Sequence, residues 1–436
     1  MLTRIHICGY KSLKDVEVRL ADLSVLFGPN AAGKSNFLDC LQLLSKLATA
    51  RTIKEAFDPP YRGKPLESFT LGREGIKGSL GQERLSFSIE VDVRLSDAVV
   101  NTVNRQIKEM RRSSTQEKDT DEQTMTGGAV RERNLRYRIE VEMVPRSGIL
   151  QVADEYLAAL TDKGVPTGRR KPFLSREGRR LHLRLEGQAH PSYYDRYLDH
   201  SILSLPHYPP HYPHLVAMRK ELENWLFFYF EPRERMRAAN PVKEVRHIGL
   251  MGEELASFLN TLKAVDSAQF KAVEKALHTI MPSVEGIGVE ISSLGEVELT
   301  LKENGIAIPA RVLSEGTLRI LGLLALAGAK EQPSLIGFEE PENGIHPRRI
   351  QLVAELLKTR ASSGDTQYIV TTHSPLLPDL VPDESLFVCK REAGETLIKP
   401  FRTWGPITKQ SEVTRALADT EDLTVSERML RGDFDA

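Results

Sequence analysis

On both sides of Tyr10-Lys11-Ser12 apolar and polar residues alternate from Ile5 to Leu20, a period of two that predicts a pair of strands joined by a turn. The apolar run Leu23–Phe27 reads as a third strand ending in a glycine-rich turn, after which Phe37, Leu38, Leu41, Leu43, Leu44 and Leu47 recur with a helical period. Leu85, Phe87, Ile89, Val91 and Val93 alternate again and predict a strand. From about residue 101 to 134 no apolar period survives, so a mobile polar loop is expected. Strand character returns over 135–144, residues 154–160 read as helical, and the prolines of 206–214 predict a loop. Apolar spacing then predicts helices over 215–228 and 252–277, two strands around Gly295, a helix over 318–327, a strand from Leu335, a helix over 348–360 and a strand from Tyr368. No internal repeat of fixed period is visible.

Composition narrows the class only a little. Hydrophobic content of 40%, charged content of 27% and a net charge of −1 describe an ordinary globular chain, so any nucleic-acid contact must be local. The exception is residues 163–184, where Lys163, Arg169, Arg170, Lys171, Arg176, Arg179, Arg180 and Arg184 face the single acid Glu177. Such a run is usually a solvated face and less often a phosphate-contacting patch. Cys8, Cys40 and Cys389 lie far apart without C-x-x-C spacing, so the cysteines suggest neither a disulfide framework nor a zinc site. No apolar run reaches the length of about 18 residues that a bilayer requires, and the first residues lack the zones of a signal peptide. A cytoplasmic protein with no membrane partner is expected.

The chemistry concentrates in four places. Gly28-Pro29-Asn30-Ala31-Ala32-Gly33-Lys34-Ser35 satisfies G-x-x-x-x-G-K-[ST] and stands between a predicted strand and a predicted helix, where a phosphate-cradling loop belongs. Its backbone N–H groups and the helix N-terminus would surround the phosphates of ATP, Lys34 would neutralise β/γ oxygens, and Ser35 would ligate Mg²⁺. The strand from Leu335 delivers adjacent carboxylates in Phe338-Glu339-Glu340-Pro341-Glu342, assigning Glu339 to the metal side and Glu340 to the role of general base. Leu313-Ser314-Glu315-Gly316-Thr317 opens a helix as a second anion-seeking turn, with Ser314 and the Gly316 N–H as donors; read alone it is also a plain helix cap. Finally, Tyr368–Thr372 ends in His373, which a right-handed crossover would set at the same sheet rim as Glu340.

Together these residues resemble the ABC-type ATPases of the RecF, SMC and OLD group. The opening strand with its Tyr10-Lys11-Ser12 turn, the loop 28–35, the signature-like 313–317, the Walker B-like 335–340, Asn343-Gly344-Ile345-His346-Pro347 at the D-loop position and His373 at the switch histidine carry the resemblance. The closing residues 426–433 resemble those of stand-alone ATPases of prokaryotic defence operons, without a Toprim domain. Departures are Glu339 where most members have aspartate, and Glu315 and Thr317 in the signature; Gln82 is a Q-loop candidate only by its order in the chain. The resemblance implies an α/β fold, a P-loop NTPase of ABC/SMC-head type with a mixed central sheet flanked by helices and an inserted helical/strand subdomain. Residues 1–100 would form the N-terminal lobe, 101–250 the insertion and 251–436 the C-terminal lobe. It also implies a homodimer or higher assembly, because the signature turn of one copy would complete the site of the other. Two functions stay open. One is an ATPase that senses a trigger and controls a separately encoded effector in anti-phage defence; the other is a RecF-like repair or maintenance ATPase that binds DNA.

Overall fold

The computed structural model describes residues 1–114, 128–168, 170–186, 192–328, 332–404, 424–432 and 434. Arg169, Asp433 and the middle of the expected polar loop, residues 115–127, lie outside the described residues. The architecture is mixed α/β, with multi-stranded sheets flanked by helices, as the sequence predicts. The chain divides into two compact units. The first holds Met1–Ala21, Ala31–Trp225 and Arg391–Ile398, and the second holds Asp22–Asn30, Leu226–Lys390 and Lys399–Ala436.

The first unit is built on an antiparallel sheet in the order Leu13–Arg19, Leu2–Tyr10, Leu85–Arg94, Asn134–Val144, Ile149–Ala159, Leu174–Glu177, Arg180–Leu183, Ser192–Asp195. Period-two alternation turns Ile5, Ile7, Phe87, Ile89, Val91, Leu135, Tyr137 and Ile139 into the core. Arg4 and Arg136, from the alternate positions, form ion pairs with Glu17, Glu90 and Asp92. The helix Lys34–Leu47 belongs to this unit and is tied to the helix Pro213–Glu223 by the Ser45 hydroxyl, which donates to the Leu222 carbonyl at 2.7 Å.

Two expectations fail here for physical reasons. Residues 154–160 are not helical: 154–159 belong to the strand Ile149–Ala159, which is buried on both faces and so loses its alternation, and Leu160 bridges to Pro166. The polar stretch from residue 101 continues a helix, Asp97–Ser114, anchored by Val99, Val100, Val103 and Ile107 near its start.

The second unit centres on parallel strands in the order Leu335–Glu339, Gln367–Thr372, Leu23–Phe27, Leu386–Glu392, with Trp225–Phe228 beside the first. The expected helix over 215–228 therefore ends at Glu223 and its last residues form that strand. A smaller sheet pairs Glu296–Glu303 with Asn240–Pro241, Val284–Ile291 and Ile306–Pro309. The expected helix over 252–277 is two, Leu255–Val265 and Ser267–Ile280, broken where Asp266 caps the second. Against the helices Leu255–Val265 and Ser267–Ile280 packs the helix Glu315–Ala327, in which every residue from Gly316 on is buried, so its apolar character extends all round. Phe228, Phe230 and Phe338 stack in this core, the last two edge to face at 4.8 Å. Among the described residues no helix is long and apolar enough to cross a membrane.

Candidate functional site

Three parallel strands of the second unit end at one edge of their sheet. Their registers set Glu339 opposite Thr371, and Thr372 opposite Phe27. Glu340, His373 and Gly28, the residues that follow, consequently leave the sheet next to one another at its carboxyl edge, the place where open α/β sheets bind ligands. Gly28 has a φ of 142°, and a Cβ there would stand 2.1 Å from the carbonyl oxygen of Cys389, an approach only glycine permits. Gly28, Pro29, Asn30 and His373, with Met429 and Phe434, line an open cavity of about 300 Å³. Phe434 is held there by an edge-to-face contact with Phe27 at 5.2 Å.

The carboxylates after Phe338 occupy different environments. Glu339 ends its strand and is buried. Glu340 turns into the left-handed region at a φ of 50°, held by its N–H donating to the Thr371 carbonyl at 2.9 Å. Its Oε1 lies 3.0 Å from His373 Nε2, and its Oε2 accepts from Asn343 Nδ2 at 3.2 Å. Strained backbone at such a position is how sites aim a side chain. Glu342, which the sequence reading did not single out, is a third carboxylate with only 5% of its surface exposed. The Thr372 hydroxyl donates to its Oε1, and burial pushes its carboxyl above the usual range.

Ser314 is exposed and N-caps the helix Glu315–Ala327, its Oγ accepting from the Thr317 N–H at 3.1 Å. A Cβ on Gly316 would come within 2.5 Å of the Gly344 carbonyl, so the signature-like turn is packed directly on the 343–347 segment. Arg233 donates to Glu315 Oε1 at 2.7 Å and Arg237 to the Leu313 carbonyl at 2.6 Å, while Glu231 accepts three backbone N–H groups of residues 233–235. The Arg233–Arg237 segment is thus a salt-bridged turn braced on the signature.

In the first unit, the helix Lys34–Leu47 begins at Gly33, whose φ is 100°, and no side chain caps it. A Cβ on Gly33 would fall 2.0 Å from Thr396 Oγ1. The same Thr396 hydroxyl donates to the Ala32 carbonyl at 2.9 Å and pairs with Ser12 Oγ at 2.7 Å, and Ser12 Oγ accepts from Asn36 Nδ2 at 2.8 Å. Lys11, at a φ of 46°, sends its Nζ to Asp39 at 2.8 Å. Ser12, Thr396, Lys11 and Asp39 therefore pin Ala31–Ser35 and the start of its helix. Lys34 is buried and Ser35 partly so.

Gln82 stands in the turn after the helix Gly75–Leu80, its N–H donating to the Ser79 carbonyl at 3.2 Å. The 206–214 segment is not simply a surface loop: His214 is fully buried in the helix Pro213–Glu223, 2.6 Å from Glu186 and stacked on Phe173, because its imidazole satisfies buried polar groups.

A family model described as "AAA ATPase domain" matches residues 1–126, and one described as "AAA domain, putative AbiEii toxin, Type IV TA system" matches residues 189–379. No curated protein matches the chain. Similar solved structures include an SMC head bound to the C-terminal winged-helix domain of ScpA, at 11% identity and a TM-score of 0.48, covering 91% of this chain and 96% of that one. The Smc head with an extended coiled coil bound to the C-terminal domain of ScpA from Pyrococcus furiosus has 10% identity and a TM-score of 0.48, with coverages of 91% and 95%. The SMC head of Thermotoga maritima has 13% identity and a TM-score of 0.42, with coverages of 92% and 98%. With family matches over residues 1–126 and 189–379, the findings support an ATPase of the AAA type.

Proposed function

We propose that the chain binds ATP with Mg²⁺ on the loop 28–35 and hydrolyses it, as a homodimer whose pairing depends on nucleotide and controls a separately encoded effector in prokaryotic anti-phage defence. The observation that carries this reading is the convergence of Gly28, Glu340 and His373 on one carboxyl edge, with Glu340 and His373 3.0 Å apart. The residues fit a magnesium-bound triphosphate: glycines stand where a Cβ has no room, the helix after the loop lacks a side-chain cap, and acidic oxygens gather at residues 339–342. Backbone N–H groups of Asn30, Ala31, Ala32 and Gly33, together with Lys34, would hold the phosphates, and Ser35 with Glu339 would hold Mg²⁺. The metal, when bound, would neutralise charge on phosphate oxygens. Glu340 would take the proton of the attacking water, and His373, donating from Nε2, would fix the carboxylate that does so.

Pairing follows from the turn at Ser314. One loop suffices for the phosphates of one nucleotide, whereas Ser314 is exposed at a helix start, with Gly316 buried behind it, and is suited to a γ-phosphate held by a second copy. The toxin–antitoxin description attached to the match over residues 189–379 supports the defence reading. The RecF-like alternative draws on the exposed Lys163, Lys171, Arg176 and Arg179, although Arg170, Arg180 and Arg184 of that cluster are already paired with Glu186, Asp195 and Glu177. Salt-dependent DNA binding that disappears on reversing Lys171, Arg176 and Arg179 would favour it.

Phosphate release by the full chain tests the core of the proposal. Glu340→Gln is expected to lower turnover by about 10²-fold or more, to retain ATP, and to raise the dimeric fraction seen by light scattering. Unchanged turnover would refute the assignment, and DNA cleavage by the chain alone that survives this substitution would refute control of a separate effector.

A further inference from the structure

The outer face of the first unit's sheet carries a cluster that the nucleotide site does not use. His6 and Cys8 are two residues apart on Leu2–Tyr10 and so share a face, opposite to the buried Ile5 and Ile7. Asp15, on Leu13–Arg19, stands directly across from Cys8. His6 Nε2 lies 2.8 Å from Asp15 Oδ1 and 3.3 Å from Cys8 Sγ, and Cys8 Sγ lies 3.8 Å from the same Asp15 oxygen. Among the described residues these three bring an imidazole nitrogen, a thiol sulfur and a carboxylate oxygen within 4.8 Å of one another.

We propose that His6, Cys8 and Asp15 bind a divalent cation of the zinc class. Ligands at about 2.0–2.3 Å in a tetrahedral shell stand roughly 3.3–3.7 Å from each other, so the His6–Asp15 side must open by about half an ångström and the Cys8–Asp15 side close slightly, while the His6–Cys8 side already fits. The donor set selects against magnesium and calcium, which take oxygen, and for zinc or cobalt, which take nitrogen and sulfur. Leu2–Tyr10 is hydrogen-bonded on both sides, to Leu13–Arg19 and Leu85–Arg94, so the ligands sit on fixed backbone. Asp15 is exposed, which leaves the fourth corner to water. A solvent-facing cross-strand pair, His6 with Asp15, would need no sulfur beside it. Binding requires the Cys8 thiolate and so releases the thiol proton.

The test is a titration of the reduced, chelator-treated full chain with Co²⁺ alone. Expected is a thiolate-to-cobalt charge-transfer absorption in the near ultraviolet that saturates at one equivalent, is displaced by Zn²⁺, and is lost in Cys8→Ser. His6→Ala keeps the thiol and is expected to weaken the absorption at least tenfold in affinity, with the thermal unfolding midpoint of both variants confirming that they fold. Cys40 and Cys389 are buried elsewhere. No such absorption in the parent chain, or an equal one in Cys8→Ser, overturns the proposal.

Discussion

Replacing Gly28 by alanine separates the geometry of the phosphate loop from its charge. The added Cβ would stand 2.1 Å from the Cys389 carbonyl oxygen, whereas even close carbon–oxygen contacts are about 3.3 Å. More than an ångström must therefore open between the loop and the Leu386–Glu392 strand, at a residue whose φ of 142° already disfavours any side chain. Strained backbone of this kind costs about 1–3 kcal/mol. A displacement of about 1 Å in a positioning element lowers rate by roughly 10²-fold, equivalent to about 2.7 kcal/mol of transition-state stabilisation. Expected for Gly28→Ala is thus a fall in kcat/KM for ATP of about a hundredfold, read by steady-state phosphate release, with a lower unfolding midpoint. Ala31→Gly is the control, because Ala31 already holds a φ of 61° that glycine adopts without strain, and it should leave both quantities near those of the parent. Gly28→Ala turnover within threefold of the parent at an unchanged midpoint would show that the loop does not need its present path.

Three further outcomes are expected. Ser12→Ala removes the oxygen that joins Asn36 to Thr396 and should cost about 1–2 kcal/mol in urea unfolding and weaken ATP binding measured by calorimetry; unchanged affinity would detach Ser12 from the loop. Thr372→Val leaves the buried Glu342 carboxyl without its donor and the Ser374 N–H without its acceptor, at about 1–3 kcal/mol for each unsatisfied group; a loss under 1 kcal/mol would contradict that accounting. Glu155 is fully buried, and burial pushes its carboxyl from 4.5 up to about 7 although Ile202 N–H, Leu203 N–H and the Tyr137 hydroxyl all donate to it. A folded-state value above the unfolded one makes its contribution complete below pH 4.5 and lost as pH rises through 7, a change of about 3 kcal/mol. Glu155→Gln should remove that slope, so the parent should lose about 3 kcal/mol more than the variant between pH 4.5 and 7.5 in urea unfolding; parallel slopes would refute it.

What could be read from the residues alone divides along a physical line. The loop 28–35, the carboxylates after Phe338 and the histidine after Thr372 are legible because the chemistry proposed for them demands a local pattern: a glycine, a lysine or a carboxylate at a fixed step from a strand end. The sheet register then does the rest, bringing Glu340 and His373 together through the pairing of Glu339 with Thr371. The residues that hold the loop are of another kind. Ser12 and Thr396 meet across 384 positions, and nothing near either of them announces the other. Glu342 was in view as one more acid in a polar turn, but that it is buried depends on the fold, which closes Thr372 over it. The same division explains the misread strand. Ile149–Ala159 packs on both faces, and Glu155 is buried in it only because the backbone N–H groups of Ile202 and Leu203 reach its carboxyl from a segment almost fifty residues away. Patterns that serve chemistry or one-sided burial survive in the sequence, whereas patterns that serve a remote partner look like noise until the fold supplies that partner. Ser314 lies on the boundary between the two cases. Its capping bond to Thr317 is local and legible, while its proposed task, meeting a phosphate on a second copy, has a partner in another molecule altogether, so substitution there should spare folding more than turnover. Ser314→Asp preserves the cap, since aspartate caps a helix as well as serine, and sets a negative charge against a triphosphate. Unfolding should be unchanged and hydrolysis abolished; loss of both together would return Ser314 to the plain helix cap.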